Sequence, residues 1–95
     1  MHDRIACRES VLIVNKRGLH ARASAKFVNH VAELPASVIV SVSKDGIEAA
    51  GGSILGLMML GAAKGDTIEI ACSGDGAEDA LTTLAALVKG GFGED

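Results

Sequence analysis

A chain of 95 residues, 48% of them hydrophobic, is long enough for one domain with a two-layer core, and we expect residues 1–95 to form a single domain. The net charge is −3 with both signs scattered, and two Phe without Trp or Tyr supply no aromatic platform, which excludes nucleic-acid binding. No apolar run approaches the roughly 18 residues that cross a bilayer, so we expect no membrane segment.

The N-terminus and the cysteines bear on localisation. Residues 1–4 precede only short apolar segments and do not form a convincing secretory signal. Cys7 and Cys72 are far apart in sequence and do not indicate a disulfide framework. We therefore expect a cytoplasmic protein with reduced thiols.

An apolar run that ends at Val14 predicts a first strand over residues 7–14, and a helical pattern follows it. Gly18 lies between the two, where a turn requires unusual backbone angles. The helix is predicted from about residue 21 to residue 33, ahead of Pro35. Its inner stripe consists of Ser24, Phe27, Val28, Val31 and Leu34.

Turn and cap residues divide the rest of the chain into short elements. Asp45 and Gly46 suit a tight hairpin turn, Ser53 is a strong helix N-cap, and Gly61 is a helix stop. The predicted elements are strands over 36–43, 47–50 and 66–73 and helices over 54–60 and 77–89, followed by a tail over 92–95. The order βαββαβα predicts an α+β fold, with an antiparallel sheet covered on one face by helices.

His20 stands at the predicted start of the first helix, where backbone N–H groups lack internal partners and the macrodipole is positive. Such an end binds phosphate readily, and Arg22 adds a forked cation to the same place. A nucleophilic imidazole there predicts a transient phosphohistidine. From this geometry alone, a surface histidine that only caps the helix is the alternative.

The helix after Ser53 is apolar almost all round. Because a short helix on a small domain cannot bury every face, we expect Ile54, Leu55 and Met58 to reach solvent and to form a partner surface. A fully buried helix or an interior strand is the alternative.

Three segments together closely resemble the HPr family, the histidine-containing phosphocarrier proteins of the phosphoenolpyruvate-dependent phosphotransferase system. They are Gly18 to Arg22 (GLHAR), Gly52 to Gly56 (GSILG) and Leu60 with Gly61. The resemblance extends over residues 9–89 in element order and spacing. It implies an HPr-like open-faced β-sandwich with strand order 1-4-2-3, and a phosphoryl carrier without a cofactor instead of an enzyme.

The resemblance also implies roles for individual residues. His20 would accept a phosphoryl group through Nδ1 from phosphorylated enzyme I and pass it to an enzyme IIA-type protein, while Arg22 steadies the phosphate. Ser53 matches a serine that a dedicated HPr kinase/phosphorylase modifies in some bacteria. The family's docking patch matches Ile54, Leu55 and Met58. We expect the protein to act as a monomer.

Two positions depart from the family. Ala23 stands where Pro is usual, and because Ala forms helix well we expect function to survive with a slightly looser site. Gly52 stands where Lys often precedes the serine, which weakens the case for recognition by the kinase. A partner-binding regulatory protein controlled by Ser53 phosphorylation is the alternative function, and a sugar-transport or a regulatory branch is left open.

Other charged and histidine residues carry weaker predictions. Lys16, Arg17 and Lys26 indicate either a positive rim that steers an acidic partner or ordinary solvated charge. His2 is expected in the N-terminal lead-in and His30 on a helix surface. With His20 they lack compact ligand spacing, so no metal site is predicted.

Overall fold

The computed structural model describes residues 6–94, and within them it contains four strands, three α-helices and a C-terminal 3₁₀ turn. The predictions for His2 and Asp95 lie outside the described residues. The elements are β1 (Ala6–Leu12), α1 (Ala21–Ala32), β2 (Ile39–Lys44), β3 (Ile47–Ala50), α2 (Ile54–Met59), β4 (Thr67–Ser73), α3 (Ala77–Lys89) and the turn Gly91–Gly93.

The strands form one antiparallel sheet in the order β1-β4-β2-β3, which confirms the predicted order 1-4-2-3. Asp45 and Gly46 both have positive φ in the β2–β3 hairpin, as the Asp-Gly pair predicts. Cys7 lies opposite Cys72 across β1 and β4, and both thiols are free. Burial, followed by the neighbouring Cys7, raises the pKa of Cys72 and keeps that thiol protonated.

One face of the sheet carries the core. α3 packs on β1 and β4, α2 packs against β3, and α1 packs against both α2 and α3. Val40 and Val42 of β2 face this core together with Ile68, Ile70 and Cys72 of β4, and α3 contributes a buried stripe that includes Leu84 and Val88. These apolar side chains are buried between the sheet and the helices, and no helix covers the other face of the sheet in the described part of the chain. The predicted α+β open-faced sandwich is therefore confirmed.

Two strand boundaries differ from the prediction by more than one residue. β1 ends at Leu12, because its partner β4 begins opposite it at Thr67 and the backbone of Ile13 bonds instead to the turn residues Gly65 and Asp66. β2 begins at Ile39, three residues late, because the N–H of Val38 donates to the carbonyl of Pro35 and closes a turn. In both places a turn takes the backbone groups that the ladder would otherwise use.

Gly18 joins the loop before α1 to the segment after α2. Its φ is +62°, and a Cβ at this position would overlap the carbonyl oxygen of Ala62. The next residue, Leu19, donates its N–H to that same carbonyl over 3.0 Å. The backbone of Ala62 therefore fixes the start of α1, and only glycine permits this approach.

We expect Gly18→Ala to destabilise the protein by more than about 1 kcal/mol, because both the positive φ and the contact with Ala62 oppose a side chain. Gly61 is the matched control, since its φ is +67° but a Cβ there would meet nothing within 4 Å. Urea unfolding followed by circular dichroism should show a clearly larger loss for Gly18→Ala than for Gly61→Ala. Equal losses would show that the contact with Ala62 contributes nothing.

Candidate functional site

His20 is the N-cap of α1, which begins at Ala21 as predicted. Its backbone is extended, with φ −75° and ψ −179°, and its carbonyl accepts the first helical hydrogen bond, from the N–H of Ser24 over 2.9 Å. The ring itself caps the helix, because Nδ1 accepts from the N–H of Arg22 over 3.2 Å. The first turn of α1 contains no acidic residue, so no side chain of that turn neutralises the positive end of the helix.

The C-terminal segment folds back onto this site, so the predicted tail over 92–95 is wrong for residues 92–94. Phe92 is only 1% exposed, and its carbonyl accepts a hydrogen bond from Lys26 Nζ over 2.7 Å. Gly91 and Gly93, with φ of +67° and +73°, allow the reversal. A single large apolar residue between two glycines was the signal available in the sequence, because burying a phenylalanine ring stabilises a turn that otherwise makes few contacts.

This reversal brings a carboxylate to the imidazole. Glu94 Oε2 lies 2.9 Å from Nε2 of His20. The other carboxylate oxygen accepts from Nδ2 of Asn15 over 3.1 Å, and the same Nδ2 donates to the carbonyl of Gly18 over 2.9 Å. Neither Asn15 nor Glu94 was a candidate from sequence, because each acquires its role from contacts between distant parts of the chain.

The hydrogen bonds of Glu94 determine its charge. Burial by itself raises the pKa of this carboxyl, but the hydrogen bonds from His20 and Asn15 outweigh burial and hold the pKa below its ordinary value. Lys26 adds a smaller contribution in the same direction. Glu94 is therefore a carboxylate at neutral pH, and it can only accept hydrogen bonds.

A shallow depression of about 220 Å³ lies over the ring, lined by Lys16, Arg17, His20, Arg22 and Glu94. Two of the three predicted rim cations, Lys16 and Arg17, lie here, whereas Lys26 is turned to the carbonyl of Phe92. The His20 side chain is 16% exposed. The site is thus an open, mainly cationic surface that suits an anion.

Ser53 is the N-cap of α2, as predicted, and its Oγ accepts from the N–H of Gly56 over 2.9 Å. The predicted surface is exposed: Leu55 is 67% exposed, and Ile54 and Met58 also reach solvent. Met59 is 72% exposed and extends the same surface, which the sequence analysis missed. Leu57 alone is buried within α2, so the fully buried alternative is wrong.

The remaining predictions concern metals, membranes and His30. Among residues 6–94, no three His, Cys, Asp or Glu side chains come close enough to hold a metal ion. No helix of this part of the chain is long and apolar enough to cross a membrane. His30 lies half-buried on α1, where its Nδ1 is 2.9 Å from the carbonyl of Lys26.

The lowered pKa of Glu94 predicts a pH-dependent contribution to stability. The carboxylate form stabilises the folded protein above the ordinary pKa of 4.5, and this stabilisation is lost as the pH falls through the lower folded-state value. We expect urea unfolding to show the wild type more stable than Glu94→Gln at neutral pH, with a difference that shrinks steadily below pH 4.5. Glu48→Gln, on the open face of the sheet, should show no such trend. A wild-type advantage that is constant with pH would contradict this assignment.

Comparisons with known proteins agree with this architecture. The family described as the PTS HPr component phosphorylation site matches residues 7–90. The phosphocarrier protein HPr of Neisseria meningitidis is 44% identical over 87 residues, which cover 92% of this chain and 96% of that protein. The phosphocarrier protein NPr of Escherichia coli is 38% identical over 88 residues, covering 93% of this chain and 97% of that protein.

Solved structures give the same result. The crystal structure of HPr-C-His from Thermoanaerobacter tengcongensis superposes with a TM-score of 0.86 at 35% identity, covering 94% of this chain and 98% of that one. Both relatives from Neisseria meningitidis and Escherichia coli are named as phosphocarrier proteins and not as enzymes. The chain therefore belongs to the HPr family, the phosphocarrier proteins of the phosphotransferase system.

Proposed function

We propose that this protein accepts a phosphoryl group on Nδ1 of His20 from phosphorylated enzyme I and passes it to an enzyme IIA-type protein. The observation that carries the proposal is the position of Nδ1, which accepts a hydrogen bond from the backbone N–H of Arg22 in the first turn of α1. A nitrogen that accepts a hydrogen bond presents a lone pair, which is the form that can attack phosphorus.

The start of α1 suits the phosphorylated state. Once phosphorus is attached at Nδ1, the phosphate oxygens take over the N–H of Arg22 and meet the other unpaired amides of the first turn. Arg22 lines the same depression, and its guanidinium can add a charge-assisted hydrogen bond to the phosphate. These groups stabilise the phosphate dianion while the P–N bond stays reactive, so the phosphoryl group can be passed on.

Transfer between two proteins requires alignment of donor, phosphorus and acceptor, and docking supplies it. We assign docking to the exposed side chains of α2, Ile54, Leu55 and Met58, since α2 ends just before the segment that holds Gly18. Lys16 and Arg17 surround the depression and favour an acidic partner face. We propose that the protein acts in the cytoplasm as a one-domain monomer, with Cys7 and Cys72 reduced.

Ser53 offers a point of control by an HPr kinase/phosphorylase. Its hydroxyl lies at the first turn of α2, directly before the exposed apolar side chains. A phosphate there adds a charge of about −1.5 to −2, which the helix start tolerates but an apolar docking surface does not. Modification would therefore weaken docking without unfolding α2. Gly52 stands in place of the frequent Lys, so the residue before Ser53 offers a kinase no charge.

We expect phosphoenolpyruvate and enzyme I to label the wild-type protein with an acid-labile phosphate and to leave His20→Asn unlabelled. Asparagine keeps an N-cap acceptor, so the variant should fold while lacking the nucleophile. His30→Asn is the matched control and should be labelled like the wild type. Label that survives in His20→Asn would contradict the proposal.

Two substitutions at Ser53 should separate charge from capping. Ser53→Asp keeps a good N-cap but adds a charge, so we expect labelling of His20 to slow at least about tenfold, which corresponds to about 1.4 kcal/mol, with stability retained. Ser53→Ala loses the cap, so we expect it to lose about 1 kcal/mol of stability with labelling kinetics unchanged. Labelling kinetics under enzyme I and urea unfolding measure the two effects. Unchanged kinetics in Ser53→Asp would refute control through Ser53.

A further inference from the structure

We propose that Glu94 is a positioning residue for phosphoryl transfer, holding His20 in the tautomer whose Nδ1 lone pair attacks phosphorus. The inference rests on the proposed function of His20 and adds a second residue to it, 74 positions along the chain. The inference is drawn from two contacts of the ring, in which Nδ1 accepts a hydrogen bond from Arg22 and Nε2 lies against the Glu94 carboxylate.

The partners of the ring leave one neutral tautomer. The backbone N–H of Arg22 can only donate, so Nδ1 must carry a lone pair. The ionised carboxylate of Glu94 can only accept, so Nε2 must carry the proton. The other tautomer would place two donors together at Nδ1 and a lone pair against a carboxylate at Nε2. Both contacts therefore favour the tautomer with the nucleophilic nitrogen at the start of α1.

Three contacts hold the carboxylate in place. Asn15, which is 4% exposed, donates to Oε1 of Glu94 and to the carbonyl of Gly18, and so ties the carboxylate to the turn before His20. The buried ring of Phe92 anchors the backbone two residues earlier, and Lys26 clamps the carbonyl of Phe92. A terminal segment held only by its backbone would fray, whereas this one is fixed by a buried side chain and an ammonium group.

Several cations lie close to the His20–Glu94 pair. Lys16, Arg17 and Arg22 line the depression with the ring, and Lys26 lies near Glu94 through the turn. Glu94 is the one acidic residue among those that line this depression. Because it contacts Nε2 and the incoming phosphate approaches Nδ1, its charge acts mainly on the ring proton, with the imidazole between it and the phosphate.

The carboxylate has a defined part in the reaction. The Nδ1 lone pair forms the new bond to phosphorus, the bond from phosphorus to the donor breaks, and its electron pair returns to the donor atom. The ring of His20 then carries a positive charge while its proton remains on Nε2, in contact with the Glu94 carboxylate. In onward transfer the P–Nδ1 bond breaks, its electrons return to Nδ1 and the ring leaves as the neutral tautomer it started from. Glu94 stabilises the charged ring in both directions and takes no proton itself.

The first test reads the tautomer in the protein without any partner. Long-range ¹H–¹⁵N spectra of the His20 ring, recorded about two pH units above the ordinary imidazole pKa of about 6.5, should show the Nε2–H tautomer in the wild type. In Glu94→Gln the Nδ1–H form should rise, because an amide can donate to Nε2 as well as accept from it. Glu48→Gln, which removes a carboxylate on the open face of the sheet, should match the wild type.

The second test measures transfer. With phosphoenolpyruvate and enzyme I, we expect labelling of Glu94→Gln to slow about tenfold or more and a fraction of the label to shift to Nε2, as resolved by ³¹P and ¹⁵N spectra. Glu94→Asp, which keeps the charge, should recover part of the rate, and Glu48→Gln should label normally. Circular dichroism checks that each variant is folded.

Each other outcome decides the matter. An unchanged tautomer in Glu94→Gln, or labelling as fast as or faster than the wild type, would overturn the positioning role, the latter because the carboxylate would then repel the phosphate. If the wild type were not labelled on His20 at all, the proposed function would fail, while the tautomer experiment would still report whether Glu94 orients the ring.

Discussion

The two nitrogens of the His20 ring face partners that cannot exchange roles, an amide that only donates and a carboxylate that only accepts. With these partners, the neutral ring carries its lone pair on Nδ1 and its proton on Nε2. It requires that the loop before α1 and the segment after α3 meet, and the fold is built so that they do. Gly18 fixes the loop to the backbone of Ala62, and the buried Phe92 fixes the terminal segment.

Unlike an enclosed active site, this site is a shallow depression lined mainly by cationic side chains. Lys16 and Arg17 lie in the loop before α1, and Arg22 lies in the first turn of that helix. Under the proposed function, such a surface stabilises a phosphate by electrostatics and hydrogen bonds and leaves alignment to the partner. The antiparallel sheet supports α1, α2 and α3 on one face. His20 and the exposed apolar side chains of α2 therefore both lie in the helical layer.

Local signals predicted most of the fold. The Asp45-Gly46 turn and the Ser53 cap each determine a boundary through the backbone of a few neighbouring residues, and α3 was predicted over its observed range. The error at the end of β1 arose because that boundary depends on a distant partner, whereas β2 starts late because of a local turn at Pro35 that the sequence analysis did not predict. The His20 position was local and was found, whereas Asn15 and Glu94 required knowledge of how the chain folds back. From sequence alone, Phe92 between two glycines is predicted as part of a tail, because the core that buries its ring is formed by distant parts of the chain.

The exposed methionines of α2 have a consequence for how such a carrier cycles. Met58 and Met59 are unbranched and polarisable, so one small surface can adapt to partners of different shape. Under the proposed function that surface serves both the donor and the recipient, which excludes their simultaneous occupancy. Throughput then depends on how quickly each complex comes apart, and modest affinity becomes an advantage to a shuttle that must leave one partner before it meets the next.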